Sequence, residues 1–403
     1  MTVTVQKGRA CGTVAAPASK SMGHRLLICA ALAKGKSTVR GITDSADLRA
    51  TLACLSALGV QYERTGDTIT MEGIDISQSH PDTPLFCGES GSTLRFFIPL
   101  AMLSGNHTLF SGAESLFRRP MSVYETMARE RGLLFSLAHD SVVVKGPLTA
   151  GEYTVAGNVS SQFISGLLFA LPLLKEDSVI HITPPLESRS YILLTMQALA
   201  AFGVAVRFLD DLTIEIPGSQ HYTPCDITVE GDYSGAAPLA ALGALGGEVS
   251  VTGLREDSLQ GDRVYRRFFP MLLRGTPTIH IGDCPDLGPI LFALAAACNG
   301  AIFTGTARLR MKESDRVAVM AEELSRFGVT VRAEENSVLI YPSDLHAPTE
   351  PLQGHNDHRI VMALSVLCTL FGGEIEGAEA VDKSFPDFFL RLQELGIGIT
   401  KKD

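Results

Sequence analysis

Several cationic side chains occupy positions where an α-helix ordinarily disfavours positive charge. Lys20 and Arg25 lie in the first turns of one predicted apolar helix, Arg95 lies in a second and Arg359 in a third. A cation at the positive end of a helix dipole costs ~0.3–1 kcal/mol unless an anion offsets it. Because helix N-termini also present free backbone N–H groups, and serine hydroxyls stand beside these cations, the pattern predicts a pocket for multiply charged anions.

Further cations stand in turns that precede predicted helices, at residues 118–120, 312–316 and 383–387. Each segment taken alone also fits a solvated helix cap, and each serine or aspartate start fits an N-cap. Arginine, however, pairs with carboxylate and phosphate through a bidentate fork, while lysine acts as a compact charge. The set as a whole therefore favours anion binding.

The helices that carry these cations belong to a unit that the chain repeats six times. Each copy begins with a few polar residues and continues into an apolar helix, and a second helix, a glycine and alternating strands follow. Successive starts are separated by 71, 69, 73, 53 and 71 residues, which is typical of one supersecondary unit repeated. The equivalent start positions are Ser21, Ser92, Ser161, Ser234, Leu287 and His358.

The end of each copy is predicted to be a β-hairpin, with polar turns such as Gly66-Asp67 and Glu335-Asn336. The last copy stops after one strand, at residues 396–400, and we expect the alternating residues 1–5 to supply its partner. This arrangement predicts two domains of three repeats each. One is discontinuous, 1–18 with 228–403, and the other is inserted, 19–227. We expect the ligand site in the cleft between them.

Composition excludes several classes of function. The 403 residues carry a net charge of −10 and show no clustered basic face, which argues against nucleic-acid binding. We find no uninterrupted 18-residue apolar run and no leader pattern, so we expect a cytoplasmic protein without membrane contact. The loop at 88–92 lacks the Gly-Lys-Ser/Thr ending of a P-loop, the histidines and cysteines lack metal-ligand spacing, and no G-x-S-x-G elbow is present.

In six segments, in order along almost the whole chain, the sequence resembles the 5-enolpyruvylshikimate-3-phosphate synthases. That family transfers the enolpyruvyl group of phosphoenolpyruvate to the 5-hydroxyl of shikimate 3-phosphate and releases phosphate, in the shikimate pathway of aromatic amino acid biosynthesis. The segments are 18–25 (ASKSMGHR), 88–95 (GESGSTLR), 159–163 (VSSQF), 311–316 (MKESDR), 356–359 (NDHR) and 382–387 (DKSFPD).

The resemblance implies an α/β (α+β) fold of two similar domains, each built from three βαβαββ-type units with buried helices and outer sheets, an inside-out barrel. It also implies a tetrahedral intermediate, no metal or organic cofactor, and small-molecule partners only. We expect a monomer.

The resemblance further implies a role for particular residues. Lys20, Asp286 and Glu313 would be catalytic, with the two carboxylates moving protons and Lys20 touching both substrates. Tyr191 would lie near the 3-phosphate. The implied ligands of shikimate 3-phosphate are Lys20, Ser21, Arg25, Ser160, Ser161, Gln162, Ser188, Asp286 and Lys312. The implied ligands of phosphoenolpyruvate are Lys20, Gly91, Arg119, Gln162, Arg316, Arg359 and Lys383.

Three positions depart from the family pattern. Glu89 stands where an asparagine often precedes the loop glycine, Phe96 replaces a proline, and Arg308 replaces an asparagine that contacts substrate. Gly91 leaves room in the loop for an inhibitor such as glyphosate, so we expect sensitivity to it. Two alternatives remain open: an enolpyruvyl transferase acting on UDP-N-acetylglucosamine, and an inactive phosphometabolite-binding protein on the same scaffold.

Overall fold

A computed structural model describes residues 1–402 of the chain. The chain divides into two compact units. The inserted unit comprises Ala18–Glu230, and the discontinuous unit comprises Met1–Pro17 with Gly231–Asp403. Each unit has its own hydrophobic core. Among residues 1–402, every helix is too short or too polar to cross a membrane.

Helices make up the interior of both units. Six short 3₁₀ turns accompany them in residues 1–402, and two of these matter below, Gly261–Val264 and Pro285–Leu287. The α-helices are α1 (Lys20–Leu32), α2 (Ala46–Ala57), α3 (Gly91–Ala101), α4 (Glu114–Phe117), α5 (Ser122–Glu130), α6 (Ser161–Ala170), α7 (Arg189–Ala201), α8 (Tyr233–Ala244), α9 (Tyr265–Arg274), α10 (Gly288–Ala297), α11 (Arg316–Ser325), α12 (His358–Phe371) and α13 (Phe388–Glu394).

Short strands accompany the helices along the whole chain. They are β1 (Thr2–Val5), β2 (Cys11–Ala15), β3 (Gly35–Arg40), β4 (Gln61–Thr65), β5 (Thr68–Gly73), β6 (Leu85–Phe86), β7 (His107–Ser111), β8 (Leu134–Leu137), β9 (Ser141–Lys145), β10 (Gly151–Ala156), β11 (Ser178–Thr183), β12 (Arg207–Phe208), β13 (Thr213–Ile216), β14 (Asp226–Thr228), β15 (Glu248–Thr252), β16 (Thr278–His280), β17 (Ala301–Thr304), β18 (Val331–Ala333), β19 (Ser337–Ile340), β20 (Leu352–Gln353), β21 (Gly373–Glu376) and β22 (Ile399–Lys402).

Five four-stranded sheets share one topology, in which a parallel pair is extended by two antiparallel strands. Their orders are β14-β3-β5-β4, β6-β7-β9-β8, β10-β11-β13-β12, β16-β17-β19-β18 and β20-β21-β1-β22. The remaining copy, the fourth along the chain, has only the parallel pair β2 and β15. The prediction for the N-terminus is confirmed, because β1 pairs antiparallel with both β21 and β22.

The central helices are buried because their sequences are apolar on nearly every side. In the inserted unit, α3 packs on α6, and α7 packs on both α6 and α1. In the discontinuous unit, α12 packs on α10 and α8. The strands alternate buried and partly exposed residues, as in β9 and β13, so each sheet turns one face to the core. The predicted α/β class with helices inside and sheets outside is confirmed.

Polar side chains cap the helix starts that the repeat predicts. Ser19, Ser90, Ser160, Asp232 and Asp357 each accept a backbone N–H of the first turn of α1, α3, α6, α8 and α12, respectively.

Two further polar segments precede their helices, as the sequence predicts. Residues 285–287 form a 3₁₀ turn with Pro285 at its first position, and α10 begins at Gly288. Asp315 caps α11, so Lys312 and Glu313 precede the helix.

Candidate active site

Arg25 of α1 is a buried cation held by neutral groups. Its Nε donates to the Thr195 hydroxyl at 2.8 Å, and its two Nη atoms donate to the carbonyl oxygens of Ser21 at 2.6 Å and Tyr191 at 3.0 Å. The guanidinium also lies 5.2 Å from the centroid of the Phe96 ring. Burial lowers the pKa of Arg25 to about 10. A buried cation with neutral partners is stabilised when a ligand brings an anion to it.

Lys20, at the first position of α1, has a protein anion beside it. Its Nζ lies 2.7 Å from a carboxylate oxygen of Asp47 in α2, and only 13% of each side chain is exposed. Sequence reasoning missed Asp47, since nothing local to residue 47 identifies Lys20, 27 residues earlier, as its partner. The contact orients the ammonium and offsets its position at a helix N-terminus.

The N-termini of α3 and α6 meet through one hydrogen-bonded chain. Arg95 Nη1 donates to Gln162 Oε1 at 2.7 Å, and Gln162 Nε2 donates to the Ser92 hydroxyl at 3.0 Å. A Cβ atom placed on Gly91 would lie 3.1 Å from Nη1 of Arg119. Three of the predicted phosphoenolpyruvate ligands, Gly91, Arg119 and Gln162, therefore lie together. Arg95, which no ligand prediction included, orients Gln162.

The predicted serine ligands lie at the starts of α6 and α7. Ser160 caps α6 by accepting the backbone N–H of Gln162 at 3.3 Å, and Ser161 is buried in the first turn. Ser188 precedes α7 with a left-handed φ of 58° and a buried side chain. Helices α6 and α7 are joined by the hydroxyls of Ser165 and Thr195, 2.7 Å apart. Since Thr195 also binds Arg25, these helix starts belong to the surroundings of that arginine.

A second charged cluster forms in the discontinuous unit around Arg316. This guanidinium is only 1% exposed and meets three carboxylates, at 2.8 Å for Asp357, 2.8 Å for Glu313 and 3.0 Å for Asp286. Burial by itself would lower the pKa of Arg316, but the three carboxylates raise it above its usual value. A substrate carboxylate that binds this guanidinium would compete with these three carboxylates.

Asp286 is the centre of the same cluster, on the 3₁₀ turn before α10. Its carboxylate lies 3.0 Å from Arg316, 3.3 Å from Lys312 and 3.6 Å from Arg359. Burial alone would raise the pKa of Asp286, but Lys312, Arg359 and Arg316 outweigh it and hold the pKa well below its usual range. Burial lowers the pKa of Lys312 from its ordinary value, although Asp286 opposes that shift. Asp286 therefore stays ionised at neutral pH, beside an ammonium that loses its proton more easily than usual.

The remaining predicted ligands of this unit lie at the start of α12 and close by. Arg359 is buried in the first turn of α12, and its backbone N–H donates to Asp357 at 2.9 Å. Lys383 Nζ donates to the carbonyl of Asn356 at 2.6 Å. The residues 356–359 and Lys383, widely separated in sequence, are thus brought together.

Two further acidic groups act on Arg359. Asp262 is 3% exposed, and burial together with Asp286 and Asp232 raises its pKa to about 7, which Arg359 opposes. Sequence reasoning treated Asp232 only as a helix start and did not single out Asp262. The buried position of Asp262 depends on the 3₁₀ turn Gly261–Val264, for which the sequence carries no clear signal.

One group of possible metal ligands occurs among residues 1–402. The ligand atoms of Glu322, Glu323 and His355 lie within 4.8 Å of one another. Arg326 lies 3.5 Å from Glu322 and 3.4 Å from Glu323, and His355 lies 2.9 Å from Glu323. Because a guanidinium already pairs with both carboxylates, the group is an ion-pair network with its own cation.

The predicted site residues thus divide between the two units. The inserted unit holds Lys20, Ser21, Arg25, Gly91, Arg119, Ser160, Ser161, Gln162, Ser188 and Tyr191, and the discontinuous unit holds Asp286, Lys312, Glu313, Arg316, Arg359 and Lys383. The first set combines cations, N–H groups and hydroxyls, and the second combines cations with two carboxylates. Cations and N–H groups are the chemistry of phosphate and carboxylate recognition.

Comparison with known proteins identifies the family. The model of the family described as EPSP synthase (3-phosphoshikimate 1-carboxyvinyltransferase) matches residues 5–392. A 3-phosphoshikimate 1-carboxyvinyltransferase of Clostridium kluyveri is 38% identical, over 96% of this chain and 95% of the relative. A protein of the same name from Clostridium perfringens is 37% identical, over 97% of both chains.

Two solved structures share the fold. An EPSP synthase from Acinetobacter baumannii has a TM-score of 0.78 at 24% identity, covering 99% of this chain and 100% of that one. The enolpyruvyl transferase NikO from Streptomyces tendae has a TM-score of 0.80 at 14% identity, covering 99% and 98%. With the relatives over nearly full length, the chain belongs to the EPSP synthase (3-phosphoshikimate 1-carboxyvinyltransferase) family.

Proposed function

We propose that this protein transfers the enolpyruvyl group of phosphoenolpyruvate to the 5-hydroxyl of shikimate 3-phosphate and releases phosphate, as a monomer in the cytoplasm. Membership of the family, with relatives of that name along nearly the full length, is the observation that carries the proposal. Two further observations support it. The carboxylates Asp286 and Glu313 lie among buried cations and can move protons, and the N-termini of α1 and α6 can bind anions.

In this proposal the inserted unit binds most of the shikimate 3-phosphate. Lys20, Ser21 and Arg25 bind its anionic groups, because Arg25 is a buried cation with neutral protein partners. The hydroxyls and N–H groups at the starts of α6 and α7 hold the 3-phosphate, since helix N-termini favour anions. The residues assigned to that phosphate are Ser160, Ser161, Gln162 and Ser188.

Phosphoenolpyruvate carries a phosphate and a carboxylate, and each has its own proposed ligands. The phosphate lies against Lys20, Gly91, Arg119, Gln162 and Lys383. The carboxylate pairs with Arg359 and Arg316, and Glu313 or Asp286 gives way to it at Arg316. Two like-charged ligands at 4 Å would otherwise repel each other by about 4 kcal/mol at an effective dielectric of about 20, so the cations offset this cost.

The reaction begins with an addition across the double bond of phosphoenolpyruvate. The 5-hydroxyl oxygen bonds to C2 while C3 takes a proton and becomes a methyl group, which requires one group to accept the hydroxyl proton and another to supply the C3 proton. Asp286, which stays ionised, and Lys312 contact the shikimate hydroxyls, so they suit the accepting side. Glu313, 2.8 Å from Arg316, is assigned to the proton at C3.

Elimination then completes the transfer. The C2–O bond to phosphate breaks, the C3 methyl group loses a proton and the enol ether forms. Negative charge grows on the departing phosphate, and the cations Lys20, Arg119 and Lys383 stabilise it. No step of this sequence requires a metal or an organic cofactor.

Phosphate release tests the proposal. The purified protein is given phosphoenolpyruvate with either shikimate 3-phosphate or UDP-N-acetylglucosamine. We expect release with shikimate 3-phosphate only, and a fall in kcat of about 10²–10⁴-fold in Glu313→Gln, the usual range for loss of one acid–base group. The exposed carboxylate Glu322, changed to glutamine, is the matched control and retains wild-type activity.

The two alternatives give different results in the same assay. Release with the sugar nucleotide alone would assign the enzyme to that substrate. Tight binding of shikimate 3-phosphate without phosphate release would assign a binding protein. Wild-type kcat in Glu313→Gln would remove that carboxylate from the proposed chemistry.

A further inference from the structure

Glu323 is a buried carboxylate that the proposed chemistry does not use. It lies in α11 with its side chain fully buried. It accepts the backbone N–H of Gln353 at 3.1 Å and the Nε2–H of His355 at 2.9 Å, and Nε of Arg326 lies 3.4 Å away. A buried carboxylate is tolerated only when such partners satisfy it. These partners lie on its own helix or in the segment that leads to α12.

Three sets of contacts join helix α11 and the residue after it to residues 351–357. Arg326 donates to the carbonyl of Pro351 at 2.8 Å, Glu323 makes the two contacts just described, and Arg316 pairs with Asp357 at 2.8 Å. Arg316 and Glu323 are seven residues apart, about two helical turns, and therefore lie on one face of α11. The segment is held along this face up to Asp357, the residue that caps α12.

The middle of the segment has an unusual backbone. His355 and Asn356 have φ values of 49° and 53°, in the left-handed region that residues other than glycine seldom adopt. Such conformations persist where the surroundings hold them in place. The His355 ring is anchored by Glu323, and the carbonyl of Asn356 accepts from Lys383 Nζ at 2.6 Å. The turn thus connects the buried carboxylate to a proposed ligand of phosphoenolpyruvate.

We propose that Glu323 and His355 are positioning residues for the binding of phosphoenolpyruvate. Their contact holds the left-handed turn, which sets Lys383 through the Asn356 carbonyl and sets Arg316 and Arg359 through Asp357. The inference rests on the proposed function, because those three cations are its phosphoenolpyruvate ligands in this unit. Most of the proposed shikimate 3-phosphate ligands belong to the inserted unit and do not depend on the turn.

Kinetics of four variants test the proposal. We expect His355→Ala to raise the KM for phosphoenolpyruvate about tenfold and to leave the KM for shikimate 3-phosphate within twofold. His355→Gln, whose amide can still donate to Glu323, restores most of the affinity. His355→Gly relieves the left-handed φ but lacks the anchor, and therefore behaves like His355→Ala. Glu335→Gln, at an exposed carboxylate of the same unit, matches the wild type.

Some results would overturn the assignment. An equal rise in both KM values, a rise in neither, or full recovery in His355→Gly would each exclude a positioning role for the His355 side chain. Thermal unfolding of every variant shows whether the fold is lost. If His355→Ala does not fold, the KM values of His355→Gln are compared with those of the wild type.

Hydrogen exchange provides a readout that does not depend on substrates. In His355→Ala, amide exchange should accelerate at residues 354–359 and remain unchanged in the sheets. Unchanged exchange at 354–359 would refute the proposal. Absence of turnover in the wild type would refute the proposed function instead, and the exchange measurement would still decide whether the contact holds the turn.

Discussion

Changing Asp286 to asparagine removes the charge at the centre of the second cluster while nearly preserving the size of the side chain. The carboxylate lies 3.0, 3.3 and 3.6 Å from the cations of Arg316, Lys312 and Arg359. At an effective dielectric of about 20, each attraction is about 5 kcal/mol before the cost of desolvation. The cost of desolvating the charged groups offsets most of this attraction. That cost remains for the three cations when Asp286 is replaced, because they stay buried.

Breaking a buried ion pair by removing one partner typically costs about 3–5 kcal/mol. We therefore expect Asp286→Asn to lower the free energy of unfolding by about that amount and the Tm of the discontinuous unit by roughly 6–20 °C. Because Asp286 also accepts a proton in the proposed reaction, kcat should fall about 10²–10⁴-fold. The KM for phosphoenolpyruvate should not rise, since the variant has one negative charge less near an anionic substrate.

The pH dependence of stability follows from the direction of the pKa shift. The pKa of Asp286 is held below its usual range, so the stabilisation is present above the unfolded pKa of about 3.9 and is lost as pH falls through the lower folded value. The difference in unfolding free energy between wild type and Asp286→Asn should be constant from about pH 5 to pH 8. It should shrink only below about pH 4.

The assays are thermal or denaturant unfolding across this pH range and steady-state kinetics with both substrates. Asp344→Asn, at an exposed position of the same unit, makes the same chemical change and serves as the control. A kcat within threefold of the wild type would refute the assignment of Asp286 to proton transfer. A stability difference that disappears already between pH 5 and pH 7 would refute the electrostatic reasoning.

Two more predictions concern the inserted unit. A methyl group at Gly91 would lie 3.1 Å from Arg119 Nη1, which is closer than an ordinary contact, so Gly91→Ala should displace that guanidinium. We expect the KM for phosphoenolpyruvate to rise about tenfold, equivalent to about 1.4 kcal/mol, and inhibition by glyphosate to weaken. Unchanged values of the KM and of the inhibition constant would contradict this. Arg25→Met removes a charged hydrogen-bond donor, and a hydrogen bond to a charged group contributes about 1.5–3 kcal/mol. In steady-state kinetics the KM for shikimate 3-phosphate should therefore rise about 10–100-fold, while the KM for phosphoenolpyruvate stays unchanged. Equal effects on both KM values would argue against the assignment of Arg25.

The sequence predicted the architecture well where the signal was periodic. Apolar helices with polar starts, hairpin turns and the pairing of residues 1–5 with the C-terminal strand all followed from one repeated pattern. The residues at which helices begin and the register of the strands were harder to predict, because single capping and turn residues determine them. The sequence did not show that residues 285–287 form a 3₁₀ turn, or which residue of the segment 312–316 caps α11; in the structure it is Asp315.

The charge partners within the candidate site could not be predicted from one sequence. Cations at helix starts indicated that anions bind there, but the pattern did not show that Asp47 pairs with Lys20 or that three carboxylates surround Arg316. Except for Glu313, which is three residues from Arg316, these pairs join residues 27 to 41 positions apart, and they form only when separate segments pack together. The contact of Glu323 with His355 was missed for the same reason.

The most direct test of the central claim is identification of the product. Purified protein is incubated with phosphoenolpyruvate and shikimate 3-phosphate, and the products are followed by ³¹P NMR and mass spectrometry. The proposed function predicts an enolpyruvyl ether of shikimate 3-phosphate and one inorganic phosphate for each molecule formed. Phosphate without the ether, or an ether formed only with UDP-N-acetylglucosamine, would contradict it.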